Sequence, residues 1–320
     1  MSAAAEHSIV IVTPVFEDSV AATRLFAELA SSLGNDIYIV AVDDGSVGEP
    51  LGIGSIRSAG IDGAVITLKR NVGHQRAIAI GLSYVEENLS GCQRVIVMDS
   101  DGEDLPASIA ELVKPLDIES VDIVVAERKS RVETLRFRVF YVVYQWLFRV
   151  LSGHNISFGN FMAFKPAALR RLLAMQELWI HVAGCVLASR LRVVRLALDR
   201  GPRYTGQSKM NFVGLALHGF RGLMIFAEDV LVRVGMACAL IAVLSIVGGT
   251  AAIILKIFSF ATPGWFSVAL GILLLVFLQT GTITLMTLML TGVVKGNTIS
   301  FVDYRSFIAG VECTDARTDN

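Results

Sequence analysis

Two long stretches without a charged residue dominate what this chain can become. Val234 to Leu255 gives 22 residues and Trp265 to Val294 gives 30, whereas a helix crossing about 30 Å of hydrocarbon needs only about 20. Each stretch therefore predicts a spanning helix. The nine-residue loop between them, Lys256 to Gly264 with Pro263 near its end, is short enough to make the pair a hairpin that returns the chain to its starting side. Overall hydrophobic content of 53% and a mean hydropathy of +0.60 are high for a 320-residue soluble protein. That excess is concentrated in the C-terminal half.

The segment Met1 to His7 has neither the basic start nor the apolar run of a secretory signal. The first two hundred or so residues are thus expected in the cytosol. Arg221 and Arg233 before the first span, with Lys295 and Arg305 after the second, agree with a positive-inside orientation, and Lys256 in the opposite loop counts against it. The expected location is a cell membrane, crossed twice. Cys92, Cys185, Cys238 and Cys313 show no paired spacing, so neither a disulfide framework nor a zinc site is expected. A net charge of -1 argues against nucleic-acid binding.

Ahead of the spans, β-branched runs at Ser8–Pro14, Asp36–Val42, Ala64–Leu68, Val95–Met98 and Val121–Ala126 alternate with helical patterns. This predicts an α/β fold with a mostly parallel, Rossmann-like sheet. Ligands of such sheets bind beyond the carboxyl ends of the strands. The residues there are Pro14–Asp18, Asp43–Ser46, Lys69–Gly73 and Asp99–Asp104, so four polar clusters converge on one edge. Between Leu135 and Leu151, six aromatic residues are interleaved with Arg136, Arg138 and Arg149. That mixture suits a helix lying in the headgroup region of a bilayer. Residues 211–232 have a similar character. The expected organisation is therefore a catalytic domain over 1–210 including the interfacial helix 135–151, a juxtamembrane helix over 211–232, two spans over 233–295 and a cytoplasmic tail over 296–320.

The strongest chemical signal is Asp99-Ser100-Asp101-Gly102-Glu103-Asp104 after a buried strand. Adjacent carboxylates repel unless something positive compensates, and a hard cation such as Mg²⁺ or Mn²⁺ takes oxygen ligands and bridges to phosphates. Asp43-Asp44-Gly45-Ser46 offers carboxylates to a ribose or base, or else a tight turn. Phe16 supplies a ring for a base, and Asp18 either bonds the base edge or caps the next helix. No Gly-x-Gly-x-x-Gly follows the first strand, which counts against a dinucleotide-binding oxidoreductase.

The order Pro14-Val15-Phe16-Glu17-Asp18, Val42-Asp43-Asp44-Gly45-Ser46, Arg70-Asn71-Val72-Gly73 and Met98-Asp99-Ser100-Asp101 resembles the family 2 glycosyltransferases of the GT-A fold. Arg203-Tyr204-Thr205-Gly206-Gln207-Ser208-Lys209-Met210, ahead of a membrane hairpin, is similar to the dolichyl- and undecaprenyl-phosphate sugar transferases. The resemblance implies an inverting transfer from a UDP- or GDP-linked sugar to polyprenyl phosphate. Pro14, Phe16, Asp18 and Asp43 or Asp44 would hold the nucleoside. Asp99, Asp101 and Glu103 would bind Mg²⁺ or Mn²⁺, with Asp99 and Asp101 catalytic, although relatives commonly carry Gln at the position of Glu103. Arg128, Arg136, Arg138, Arg203, Ser208 and Lys209 would form a basic rim for the lipid phosphate. The partners implied are a nucleotide sugar, polyprenyl phosphate and a bilayer, and a homo-oligomer is compatible with this organisation.

One departure stands out. Relatives usually show Gly-Asp-Phe-Arg where this chain has Gly159-Asn160-Phe161-Met162. A hydroxyl acceptor would miss that carboxylate as a base, whereas a phosphate acceptor is already ionised near neutral pH, its second pKa being about 6. Two rival readings are a tethered transferase with a hydroxyl acceptor and an inactive membrane scaffold. A processive synthase would need more spans and a Gln-x-x-Arg-Trp motif, and the sequence has neither.

Overall fold

The structure is a computed structural model and describes residues 7–34, 36–89, 91–128, 135–205, 212–258, 260, 264–296 and 302–314. Within these, the side chains of 128, 135–141, 212–216, 218 and 291–296 are not described. The chain divides into two compact units. One comprises residues 1–141, 156–225 and 301–320, and the other comprises 142–155 and 226–300.

The first unit is built on a sheet that has eight strands among the described residues. In chain order they are β1 (Ile9–Val15), β2 (Ile37–Asp43), β3 (Asp62–Leu68), β4 (Arg94–Val97), β5 (Ile123–Arg128), β6 (Phe158–Phe164), β7 (Val193–Leu198) and β8 (Ile308–Cys313). Their spatial order is β7-β5-β6-β4-β1-β2-β3-β8. β4, β1, β2 and β3 run parallel, as do β5 and β7. β6 is antiparallel to both β4 and β5, so β5 and β7 point the same way as the central four. Every strand but β6 and β8 thus ends at one edge.

Helices α1 (Ser19–Leu33), α2 (Gly54–Ser58), α3 (His74–Asn88), α4 (Ile109–Val113), α6 (Pro166–Leu173), α7 (Val182–Ala188) and α8 (Phe212–Met224) surround this sheet. The period-2 alternation of β1 explains its two neighbours. Ile11 and Val15 join a buried cluster with Ala22, Leu25, Phe26 and Leu29 of α1, Ile56 of α2 and Leu112 of α4. Val12 points the other way, against α3, where Gly81 lets the helix come close. A Cβ at Gly81 would fall 2.5 Å from Val12 Cγ1 and 2.9 Å from Val42 Cγ2. Burying each large aliphatic or aromatic side chain of this core contributes about 1.5–3 kcal/mol before entropy is counted.

The last strand corrects the reading of 296–320 as a tail. β8 pairs antiparallel with β3, setting Ile66 against Val311 and Thr67 against Gly310. The approach to it is anchored as well: the Lys69 backbone N–H donates to Phe307 O at 2.9 Å, and Phe307 stacks on Trp179 with ring centroids 6.3 Å apart. Residues from beyond the second apolar stretch therefore complete the sheet that the first residues begin.

The second unit contains the end of α5 (Leu135–Ser152) together with α9 (Ala227–Ile257) and α10 (Trp265–Gly296). α5 has the bounds expected of the helix at 135–151 to within a residue, but from residue 142 on it falls in this second unit and not in the catalytic domain expected over 1–210. Its Phe148 meets Phe226 edge-on at 6.0 Å, while Val142, Val143, Trp146, Leu147 and Val150 remain exposed. α8 accounts for part of the expected juxtamembrane segment, but residues 227–232 already belong to α9. The two long helices are apolar enough to span a membrane. They meet through small residues, the buried positions of α9 being Gly235, Ser245, Gly249 and Ala252. A Cβ at Gly235 would sit 3.0 Å from Thr287 Oγ1 and one at Gly249 would sit 3.9 Å from Leu270, which fixes an antiparallel hairpin. Close approach through small side chains is how helices pack where lipid removes the hydrophobic driving force.

Candidate active site

The loops that follow the parallel strands are tied to one another before any ligand is considered. Ser100 Oγ donates to Pro14 O at 3.1 Å, joining the loop after β4 to the end of β1. Glu17, whose φ of +48° lies in the left-handed region, turns its carboxylate onto the backbone N–H groups of Val47, Gly48 and Glu49 at 2.7, 3.1 and 2.8 Å. Its own N–H donates to Ser46 Oγ at 2.8 Å. Above these loops Phe16 stays 42% exposed, leaving ring surface for a planar partner.

Asp43 and Asp44 both turn their carboxylates onto backbone amides. Asp43 is fully buried, with Oδ1 accepting from the Ser46 N–H and Oδ2 from the Leu51 N–H, each at 2.9 Å. This is the tight-turn reading. Asp44 accepts from the N–H groups of Val72 and Gly73 at 2.7 and 3.0 Å, drawing in the loop after β3. Burial pushes its carboxyl above the usual range, and those two amides pull the other way. Both carboxylates therefore shape the cleft through its backbone. Gly45 is the residue that permits it. With φ at +72°, an added Cβ would lie 2.5 Å from the Arg70 carbonyl carbon and 2.7 Å from Asn71 N. Gly45→Ala is expected to cost about 2–5 kcal/mol of stability from strain and overpacking combined. A fall in the unfolding midpoint of the purified protein, together with weaker nucleotide binding, is the check.

Asp18 stands at the N-cap of α1, yet its side chain makes no capping hydrogen bond. Instead Oδ1 accepts from Thr205 Oγ1 at 3.1 Å. The capping account does not hold, and the carboxylate links the first loop to the loop after β7.

That last loop, in which the sequence had singled out Arg203 although β7 itself was not recognised, brings the cations. Arg203 reaches Asp101 Oδ2 through Nη2 at 2.9 Å and Glu103 Oε1 through Nε at 2.8 Å. Arg200 pairs with Glu103 and lies 3.7 Å from Asp104 Oδ1. Backbone bonds lock the two loops together, the Tyr204 N–H donating to Asp101 O at 2.9 Å and the Gly201 N–H to Glu103 O at 3.0 Å. Tyr204 lies against Gly102, donates its hydroxyl proton to Glu28 at 2.5 Å and carries Arg24 over its ring at 4.3 Å. On the other side of the acidic loop, His74 Nε2 lies 3.2 Å from Asp99 Oδ1 and 3.0 Å from Asn160 Nδ2. Asn160 Oδ1 accepts from Gln75, whose own oxygen accepts from the Val182 N–H. Burial disfavours the charged imidazole, but Asp99, Asp101 and Asp44 together outweigh it and move the His74 pKa up.

The electrostatics describe a crowded acidic site. Burial first, then Asp99, pushes the Asp101 carboxyl above its usual range. Burial lowers the Arg200 guanidinium against the pull of Asp99 and Asp101. Two oxygen-rich carboxylates one residue apart, one of them destabilised by its neighbour's charge, fit a hard divalent cation by donor type and by charge. Glu103 fits less well, because Arg200 and Arg203 hold both its oxygens. Among the described residues no group of three His, Cys, Asp or Glu side chains is arranged to enclose a cation.

Of the expected basic rim, Arg203 alone has a described side chain. Ser208 and Lys209 lie outside the described residues, as do the side chains of Arg128, Arg136 and Arg138. Arg200 and His74 were missed. Each sits next to a cluster already singled out, Arg200 three residues before Arg203 and His74 directly after Arg70–Gly73, and position was the signal available.

Residues 10–179 match the model of the family described as glycosyl transferase family 2. The chain belongs to that family. An uncharacterized glycosyltransferase of Synechocystis sp. is 27% identical over 226 residues, covering 68% of this chain and 69% of that one. Another, from Bacillus subtilis, is 25% identical over 278 residues, covering 83% of each. Among solved structures, glucosyl-3-phosphoglycerate synthase from Mycobacterium tuberculosis in complex with Mn²⁺, UDP and glucosyl-3-phosphoglycerate is similar with a TM-score of 0.46 and 18% identity, over 71% of this chain and 80% of that one. The same enzyme with Mg²⁺ and UDP gives a TM-score of 0.45 and 16% identity over 71% and 79%.

Proposed function

We propose that this family 2 glycosyltransferase moves a sugar from a UDP- or GDP-linked donor onto a polyprenyl phosphate, working at the cytoplasmic face of a membrane. The observation that carries the reading is the meeting of the acidic loop Asp99–Asp104 with Arg200 and Arg203, Arg203 on Asp101 and Arg200 on Glu103, at one sheet edge, in a chain that also forms two helices long enough to span a bilayer. The acidic pair serves a nucleoside diphosphate and the arginines serve a second, acceptor phosphate.

In this reading Pro14 and Phe16 pack the base, while Asp18, Asp43 and Asp44 set the loops around it. Asp99 and Asp101 would hold Mg²⁺ or Mn²⁺, whose charge would steady a departing diphosphate. Transfer is a single inverting displacement. A phosphate oxygen of the acceptor forms a bond to the anomeric carbon as the bond from that carbon to the nucleoside diphosphate breaks. The attacking oxygen already carries negative charge near neutral pH, so no side chain must take a proton and Asn160 is compatible with the chemistry. Positioning and charge neutralisation by Arg200 and Arg203 then carry the acceleration. Glu103, paired with both arginines, orients them.

Chain continuity supports the topology. β8 lies in the same sheet as β1 to β7, so the chain entering α9 and the chain leaving α10 must be on one side, and the positive-inside count puts that side in the cytosol. Impermeant thiol labelling on intact cells is the test: a cysteine introduced in the loop at 256–264 is expected to react, and one introduced after residue 314 is not. Labelling of the C-terminal position from outside contradicts the hairpin. A panel of nucleotide sugars offered with polyprenyl phosphate identifies the donor through an organic-soluble labelled product.

A further inference from the structure

The hydroxyls of the two long helices solve their hydrogen bonding locally. Thr280, Thr282 and Thr284 each donate to the carbonyl four residues back, Thr287 donates to Thr284 O, and on α9 Ser245 and Thr250 do the same toward Ile241 and Ile246. Gln279 has no such solution. Its side chain is exposed and makes no hydrogen bond among the described residues. It stands 14 residues from Trp265 and 17 from Gly296, about 21 and 26 Å along the helix, which is near mid-span. Glutamine is too short to reach either interface from there, and hydrocarbon offers an amide nothing in return.

The hairpin partner cannot supply the bond. α10 turns Leu273, Val276, Thr280, Thr284 and Thr287 inward as its less exposed stripe. Gln279 lies on a different stripe with Val268, Ile272, Leu275, Thr282 and Met286, all exposed. The spacing of this second stripe alternates four and three residues, the seam spacing of a helix that packs on another helix.

We infer that this stripe of α10 is an interface between copies of this chain, closed by a hydrogen bond between the two Gln279 amides. Copies insert in one orientation, so residue 279 of each automatically lies at the same depth. A carboxamide carries both donor and acceptor, so across a two-fold axis it is complementary to itself. A single polar residue in an otherwise apolar seam fixes register and oligomeric state in this way. The inference rests on the reading that α9 and α10 span the membrane and is independent of the acceptor.

The test is self-association of the full-length chain in lipid vesicles, read by energy transfer between labelled copies as the protein-to-lipid ratio is varied. Gln279→Leu keeps the span apolar and is expected to weaken association about tenfold, or ~1.4 kcal/mol. Gln279→Asn, which keeps the amide, is expected to stay within a few-fold of wild type. A Leu variant that associates as tightly as wild type, or a wild type monomeric at every ratio, overturns the inference. So does a monomeric wild type whose binding of an isoprenoid lipid is lost in the Leu variant, which would give the amide to a lipid. Extraction of the wild-type chain by alkaline carbonate would instead remove the spanning reading beneath it, a failure distinct from the others.

Discussion

Asp101→Asn is expected to lower transfer by about two to three orders of magnitude, the usual cost of removing one well-placed electrostatic group from an active site. The substitution keeps the shape of the side chain, and Oδ1 can still accept from the Glu103 N–H. What disappears is the charge that faces Arg203 on one side and Asp99 on the other. Folding and membrane association should persist, because the buried cluster beneath the sheet does not involve this carboxylate. Binding of Mn²⁺ in the presence of nucleotide should weaken in parallel, and chelation should stop the wild-type enzyme until Mg²⁺ or Mn²⁺ is restored. Near-normal turnover by the Asn variant would remove Asp101 from the cation site.

Arg203→Ala is expected to weaken use of polyprenyl phosphate by about 10- to 150-fold, or ~1.5–3 kcal/mol, as for a lost hydrogen bond to a charged group. In the structure this guanidinium rests on Asp101 and Glu103, and a cation held by Asp101 would free it for a phosphate. Arg200 keeps Glu103 in place after the substitution, so donor affinity should change much less than acceptor use. Lys209→Ala should act in the same direction, its ammonium being a mobile point charge for the same phosphate. Kinetics with each substrate varied in turn separate the two sites. A double variant that lost the nucleotide sugar and kept its apparent affinity for the lipid would assign both residues to the donor.

The central strands were legible because Ile9–Val15, Ile37–Asp43 and Asp62–Leu68 are dominated by β-branched and aliphatic residues bounded by turn formers. The missing strands fail that test for physical reasons. β6 reads Phe-Gly-Asn-Phe-Met-Ala-Phe, with no β-branched residue and a glycine and an asparagine at its start. β7 and β8 lie at the two edges of the sheet, where exposed positions tolerate Arg195 and Glu312. β8 also follows two long apolar helices, far in sequence from the strand it pairs with, and only tertiary pairing makes it a strand.

The site was legible as a place more than as a set of roles. Clusters at strand ends pointed to the edge where these loops meet, but whether a carboxylate faces a ligand or a backbone amide depends on loops far away in sequence. Asp44 is spent on amides 28 and 29 residues distant, and Glu17 on amides 30 to 32 residues distant. Composition cannot announce such pairings. Arg200 went unnoticed for the same reason, since its significance comes from the direction of β7 and from Glu103 across the cleft.

The acceptor is the point on which the account turns, and one assay addresses it directly. Purified full-length protein is given Mg²⁺ or Mn²⁺, its best nucleotide sugar carrying a labelled sugar, and either polyprenyl phosphate or the corresponding polyprenol at equal concentration in the same vesicles. Transfer of label into the organic phase with the phosphate and none with the alcohol, giving a product whose sugar is released by mild acid, is the expected result. Equal labelling of the alcohol, or transfer only to a water-soluble hydroxyl acceptor, would contradict it.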